Sequence, residues 1–397
     1  MFQKKGEAVE EKGFFARHKL WMAITTLIGT IVGAGILGIP YVVAKAGFVV
    51  GLIFIILLGL AFLYLNLFTG EIVLRTKEQH QLTGYAEKYL GRWGKRVMTF
   101  TMLFSIYGAL TAYLIGEGES LRAIFRVGSP LFYTLIFFII GFLIVWRGVK
   151  ATGKAELFLI LFLFVVVVLI SIFSYRQLDF SHLTTFNLGY ILLPYGVILF
   201  SLLGSPAIPE MQEVLGKDKK LMKRAIIIGS LIPILLYIVF TAVIMGLVGI
   251  EQFELLQPNE RIATIALSVY AHPLLGIFAN VLAVLSMFTS FLALSIALTE
   301  VYEYDYKMTR SASLLLTFSL PLVIAVFNLA TFLRVLDITG AVAGGLNGVL
   351  IILLYWQAKK YGDRDPEYSL GKHALLGAVL MFFFIVGILY QLWASFA

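Results

Sequence analysis

At 397 residues, 60% hydrophobic and 14% charged, with a mean hydropathy of +0.93, the chain is too apolar for a water-soluble domain and reads as an integral membrane protein. Its net charge of +8 comes from short basic runs between apolar segments rather than from a continuous stripe, which marks a membrane face and argues against a nucleic-acid partner. Cysteine is absent, which excludes disulfides, thiol redox chemistry and thiolate metal sites.

Residues 1–19 carry Lys4, Lys5, Lys12, Arg17 and Lys19 and read as a cytoplasmic tail. Apolar segments follow at roughly 20–46, 48–74, 97–116, 130–147, 155–174, 189–214, 224–249, 273–299, 311–330, 335–357 and 372–395. These predict eleven transmembrane helices and an all-α, multi-pass protein of the cell membrane, embedded in the lipid bilayer. The first segment is too long for a signal-peptide core and is followed at once by another, so it is expected to remain in the mature protein. With the N-terminus inside, 25 of the 31 Lys and Arg residues fall on the inner side, the other six being Lys45, Arg122, Arg126, Arg176, Arg261 and Arg334. That bias predicts a cytoplasmic N-terminus and an outside C-terminus.

The first span holds Gly29-Thr-Ile-Val-Gly-Ala-Gly-Ile-Leu-Gly-Ile-Pro40, whose glycines and proline weaken a helix near mid-membrane. Backbone groups freed there must find partners, so such a break persists only against protein, a wet cavity or a ligand. The stretch is therefore a candidate binding site, although Gly29 and Gly33 also have the small-xxx-small spacing of close helix packing. The loop 75–96 places Leu82, Tyr85, Ala86, Tyr89 and Leu90 at helical spacing and predicts an amphipathic surface helix. Glu71 at the end of span two is expected to pair with Arg75 one turn on. Glu117 and Glu119 are placed at the outer end of span three, where they would draw cations into a vestibule. The loop 251–272 is a candidate helical lid.

Span six contains Phe200-Ser-Leu-Leu-Gly-Ser-Pro-Ala-Ile-Pro-Glu210. Gly204 can end one half-helix, Ser205 can cap the next, and Pro206 suits its first position; Glu210 then sits in the early turns, where a carboxylate suits the dipole. Breaks five spans apart invert topology between the halves, the arrangement of transporters built from inverted five-helix repeats that bind at the midplane. The first repeat would cover 20–174, the second 189–357, and the helix at 372–395 would be an addition.

Against these motifs a resemblance becomes specific. The first-span string, Ala112-Tyr113 in span three, Ile208-Pro209 after the second break, Ile228-Gly-Ser-Leu-Ile-Pro-Ile-Leu-Leu-Tyr237 in span seven and Thr289-Ser-Phe-Leu292 in span eight resemble the amino acid/auxin permeases and the bacterial hydroxy and aromatic amino acid permeases. The resemblance runs to span ten and implies the leucine-transporter-type fold of the amino acid, polyamine and organocation superfamily. It implies a secondary active amino acid transporter, an ion-coupled symporter working by alternating access. A sensor of the same fold that binds without carrying, and an ion-independent exchanger, are the alternatives. Neither a phosphate-binding loop nor a nucleophile with its base is present, so no enzyme is expected.

By motif position, the resemblance assigns the freed amides of Ala34, Gly35 and Ile36 to a substrate carboxylate, with Gly33 and Gly35 keeping the approach open. The carbonyls of Thr30, Ile31, Phe200 and Ser201 would hold the ammonium group. Phe200, Leu203 and Ser205, with Ser105 and Tyr113 of span three, are candidates for lining or closing the side-chain pocket. Aromatic permeases often carry His at the position of Ser205 and Phe at that of Gly204, so the departure here argues against a strictly aromatic substrate. Ser286, Thr289 and Ser290 share one face of span eight. In sodium-coupled members such groups join two carbonyls of span one, here Gly29 and Val32, around Na⁺. Some proton-coupled relatives place a lysine deep in span five, whereas Leu157 to Ser174 carries no charge; Na⁺ is therefore favoured over H⁺, and no other cofactor is expected. The same hydroxyls also suit bonds to their own i−4 carbonyls.

Overall fold

A computed structural model describes residues 19–148, 153–270 and 273–396, so the expected cytoplasmic tail lies almost wholly outside the described residues. All regular structure among the described residues is helical. The first apolar segment divides into α1 (Lys19–Ile31) and α2 (Gly35–Ala46), bent by 54°. Then come α3 (Phe48–Leu74), α4 (Leu82–Phe125), α5 (Pro130–Trp146) and α6 (Gly153–Ser174). The sixth segment gives two short helices, α7 (Pro194–Ser201) and α8 (Ala207–Leu215). They are followed by α9 (Met222–Leu255), α10 (Ala263–Tyr270), α11 (Pro273–Glu300), α12 (Arg310–Val326), α13 (Phe332–Thr339), α14 (Gly345–Tyr361) and α15 (Ala374–Phe396).

Six described helices are long and apolar enough to cross a membrane, seven with the bent α1–α2 pair counted as one. Of the remaining expected spans, α6 has 22 residues and the others are shorter pieces. Both α5 and α12 have 17 residues, about 26 Å at ~1.5 Å per residue against a hydrocarbon core of ~30 Å, and the sixth segment is halved by its break. The architecture is thus an all-helical, multi-pass membrane protein. Large side chains such as Leu57, Phe173, Phe382 and Leu389 face outward, as a lipid-facing surface requires.

The amphipathic loop helix is present and meets span three at a sharp kink. In α4 the leg holding Leu82, Tyr85, Ala86 and Tyr89 buries those four and joins the long leg at Gly91, whose φ of 70° favours glycine. Gly249 makes an equivalent bend in α9, also at φ 70°. Glu71 is fully buried and pairs with Arg75 (2.8 Å) as expected, and further with Lys359 (2.9 Å) and the Leu370 amide (2.7 Å), which ties α3 to α14 and the loop after it. The loop expected as a lid contains α10, largely buried and packed on α9 and α11. Between α13 and α14 the backbone widens into a π-turn at Gly340–Gly344, and a side chain at Gly340 would strike the Gly196 carbonyl and Phe200. The turn therefore lets α7 approach closely. At the periphery, α15 has 17% of its apolar window buried, against 72% for Phe332–Tyr361.

Candidate functional site

Each break follows from its local sequence. In the first, α1 closes with Val32 N–H on Ile28 O (2.7 Å), and Leu37 N–H turns back to Ala34 O (3.1 Å). The amides of Gly35 and Ile36 belong to the first turn of α2, before its own i→i−4 bonding begins. Gly33 and Gly35 leave nothing to fill the gap. In the second, Leu202 N–H ends α7 on Ile198 O (3.1 Å), and Ala207 N–H and Ile208 N–H turn back to Gly204 O (3.1 Å) and Ser205 O (3.2 Å). Pro206, which has no N–H, precedes the first residue of α8 rather than occupying it.

The two breaks meet. A Cβ on Gly35 would overlap the Cα and side chain of Ser201, so only glycine allows α2 to lie against the end of α7. Both strands of the meeting point are held by Tyr237 of α9, fully buried, whose hydroxyl donates to Ile31 O (2.9 Å) and Ser201 O (2.7 Å). The sequence reading missed Tyr237 as a site residue, although it closes the span-seven string that carried the resemblance. A buried carbonyl freed by a helix break requires a donor, and a tyrosine within an apolar span is the signal that supplies one.

Gly204 and Ser205 serve packing and hydrogen bonding here. A Cβ on Gly204 would meet Ile31 (2.6 Å) and Leu27 (3.0 Å) of α1. Ser205, expected as an N-cap and as a pocket wall, makes no cap. Its Oγ donates to Asn66 Oδ1 of α3 (3.2 Å), and Asn66 Nδ2 donates to Ser230 Oγ of α9 (3.2 Å). A cap needs the hydroxyl aimed along its own chain, and the buried Asn66 amide offers a partner across the interface instead. Glu210 stands in the first turn of α8, as expected.

Tyr113 is buried with its hydroxyl 3.5 Å from where a Gly33 side chain would begin, and it reaches the Ser290 side chain of α11. It thus links the first break to the face of α11 that carries Ser286, Thr289 and Ser290. The Thr289 hydroxyl donates to Leu285 O (3.2 Å) and Ser286 O (3.1 Å) of its own helix, the local bonding that mid-helix threonines often make. Phe200 lies against Gly340 and Leu203 against Gly344, so both border the π-turn. Ser105 is half-buried on α4.

Exposure is lopsided about the breaks. Every residue from Ala34 to Ala44 in and before α2, and from Ala109 to Ser120 in α4, is buried, whereas Thr30 is exposed and Gly29, Ser105, Phe200 and Leu203 are half-buried. On the buried side, Tyr41 OH accepts from Arg261 (2.9 Å) and donates to Glu254 (3.2 Å), and Lys45 pairs with Glu254 (2.8 Å); this cluster ties the end of α2 to the end of α9. Glu117 and Glu119 do not face an open vestibule. They are 0% and 9% exposed, because α5 packs over this part of α4, with Thr134 set against Gly118. A small cavity of about 20 Å³ adjoins the first break between Gly33, Ile36, Val167, Phe240, Ala283 and Ser286, room for about one water.

Among known proteins, a model of the tryptophan/tyrosine permease family matches residues 16–391. Tyrosine-specific transport system 1 of Haemophilus influenzae is 27% identical, the match covering 89% of this chain and 92% of that protein. Glutamine transporter 2 of Aliivibrio fischeri is 25% identical over 82% of this chain and 85% of its own length. The crystal structure of MhsT in complex with L-phenylalanine shares the fold, with a TM-score of 0.66 at 18% identity, covering 94% of this chain and 98% of that one.

Proposed function

Since the chain belongs to the tryptophan/tyrosine permease family, we propose that it is a secondary active transporter that carries a neutral amino acid across the membrane by alternating access. The meeting of the two breaks at Gly35 and Ser201, with Tyr237 spanning them, carries the reading. It collects backbone amides and carbonyls outside regular helical bonding, the two group types a zwitterion needs, at one place between helices. Ala34, Gly35 and Ile36 offer amides to the carboxylate at the positive end of α2. The carbonyls of Thr30, Ile31, Phe200 and Ser201 face the ammonium group; two of them keep one lone pair each beside the bond from Tyr237. The side chains named around the breaks, Ser105, Tyr113, Phe200, Leu203 and Ser290, are all uncharged, so a charged substrate side chain would be buried without a partner. Tyr113 and Phe200 offer ring faces to an aromatic substrate. The expectation against aromatic substrates rested on Gly204 and Ser205, which lie against α1 and α3. Aromatic amino acids therefore stand with glutamine as the first to test.

The chain is read as eleven spans, with the repeats at 20–174 and 189–357 inverted and the last helix outside them, the N-terminus cytoplasmic and the C-terminus outside. On that orientation, the half-exposed side of the breaks faces the cytoplasm. Gly29 and Val32 carbonyls with Ser286, Thr289 and Ser290 form the candidate Na⁺ site; a hydroxyl that donates to its own helix still has lone pairs for a cation. The test is uptake of labelled tyrosine, tryptophan and glutamine by proteoliposomes, each competed by the twenty amino acids, in Na⁺ and in choline buffer. Saturable, competed uptake is expected, faster in Na⁺ and with that advantage reduced in Thr289→Ala. Binding without accumulation in the lumen would sink the transporter reading, and equal rates in both buffers would remove the sodium site.

A further inference from the structure

We propose that the elbow of α4, where its surface leg turns into the membrane span, holds one anionic phospholipid, with the phosphate on Arg92 and Arg96 and an acyl chain along Phe100 and Phe104. The site is independent of what the protein transports. The elbow is set by Gly91, whose φ of 70° is the one non-helical conformation inside α4. Beyond it, at 3.6 residues per turn, Arg92, Arg96, Tyr107, Phe100, Trp93 and Phe104 fall within about a third of the helix circumference. That face runs from cations through an indole to phenyl rings, the order in which a membrane presents headgroup, interface and hydrocarbon.

The face is open at the elbow and closed at its far end. Arg92, Trp93, Arg96 and Phe100 are exposed, Trp93 to 61% and Phe100 to 53%. Phe104, half-buried, stacks on Phe100 with ring centroids 5.9 Å apart. Three residues on, the Tyr107 hydroxyl meets that of Tyr302 (2.7 Å) and donates to Leu316 O of α12 (3.0 Å), so α12 walls the stripe there. Arg96 and Phe104 are about 12 Å apart along the axis at ~1.5 Å per residue, enough to pass from phosphate depth into the hydrocarbon.

Charge selects the occupant. The basic residues from 88 to 96 are Lys88, Arg92, Lys95 and Arg96. Lys88 is bound to Asp363 and Lys95 to Glu87, whereas among the described residues no ion pair or hydrogen bond holds the guanidinium of Arg92 or Arg96. Two positive charges are thus left over, both on planar forks that match phosphate oxygens two at a time. Basic residues at a membrane face attract anionic lipids. A choline lipid would set a further cation beside these arginines, while a phosphatidylglycerol brings the anion alone. Bound there, the lipid fixes the depth at which α4 enters the bilayer, next to the Gly91 bend.

The test uses the full chain, purified in a nonionic detergent and given an equimolar mixture of dioleoyl phosphatidylglycerol and dioleoyl phosphatidylcholine. Retained lipid is counted by native mass spectrometry, and Tm is followed in parallel. The wild type is expected to retain one phosphatidylglycerol in several-fold excess over phosphatidylcholine and to gain Tm from it. Arg92→Gln combined with Arg96→Gln should retain it roughly tenfold less, as the loss of two interfacial cations requires, and lose the gain in Tm. Lys219→Gln combined with Lys220→Gln, which removes the same charge from the turn before α9, should keep both. Equal retention of the two lipids by the wild type, or undiminished retention by the arginine variant, overturns the proposal. Equal losses in the two double variants also overturn it, assigning the effect to the diffuse field of the membrane face. Glycerol phosphate raising Tm as much as the lipid does would remove the acyl-chain half of the site and with it the lipid. If the arginine variant does not fold, Arg96→Gln alone decides: reduced retention supports the site, and wild-type retention refutes it.

Discussion

Gly35 and Tyr237 carry the arrangement at the scale of single residues. A side chain at Gly35 overlaps the backbone of Ser201, so Gly35→Val must push α2 off α7 and fill the space beside the amides. Amino acid binding is expected to fall at least tenfold, with expression and size-exclusion profile retained; unchanged uptake would refute the carboxylate assignment. Tyr237→Phe keeps the ring and removes one donor from two buried carbonyls. Leaving a buried acceptor unpaired costs about 1–3 kcal/mol, while the bound ammonium can satisfy the same oxygens. The variant should therefore lose thermal stability without ligand and recover most of it with ligand, read as a larger ligand-induced Tm shift than the wild type shows. An equal shift in both would separate Tyr237 from the substrate site.

At the scale of elements, the surface leg of α4 is fastened to the loop after α14. Asp363 accepts from Lys88 Nζ and from the Lys77 amide (2.8 Å). The Lys88 ammonium holds the Asp363 carboxyl below its usual range. A depressed carboxyl stabilises the fold above its unfolded pKa, about 3.9, and loses that contribution only as pH falls through the lower folded value. The contact is thus constant between pH 5 and 8. Asp363→Asn should lower Tm slightly, by the same amount across that window and less at high salt, as exposed pairs do; a difference that changed between pH 5 and 8 would contradict the pairing. Any pH dependence of transport in that range must then come from another group.

For the whole molecule, the uneven burial about the breaks predicts one-sided access. Because the chain has no cysteine, single cysteines report accessibility without background. Thr30→Cys, on an exposed position, should react rapidly with a polar maleimide, whereas Ala112→Cys, fully buried, should be protected. Conditions that favour the opposite conformation should reverse the order. Protection of Ala112→Cys under every condition, with transport intact, would refute alternating access through this region.

The sequence by itself determined the membrane class, the helical segments and both breaks, because hydropathy and Gly/Pro placement act along the chain and need no neighbour. Resemblance in short strings was enough to place the family. Tertiary structure alone decided which partners the freed groups take. Ser205 turns to Asn66 rather than to its own helix; Tyr237 comes from a span about two hundred residues from Ile31 in sequence; and Glu117, expected at an open mouth, is enclosed by α5, α11 and α13. Hydrogen-bond partners and burial are set by which helix faces meet, and the period of one helix does not specify the face it will be offered.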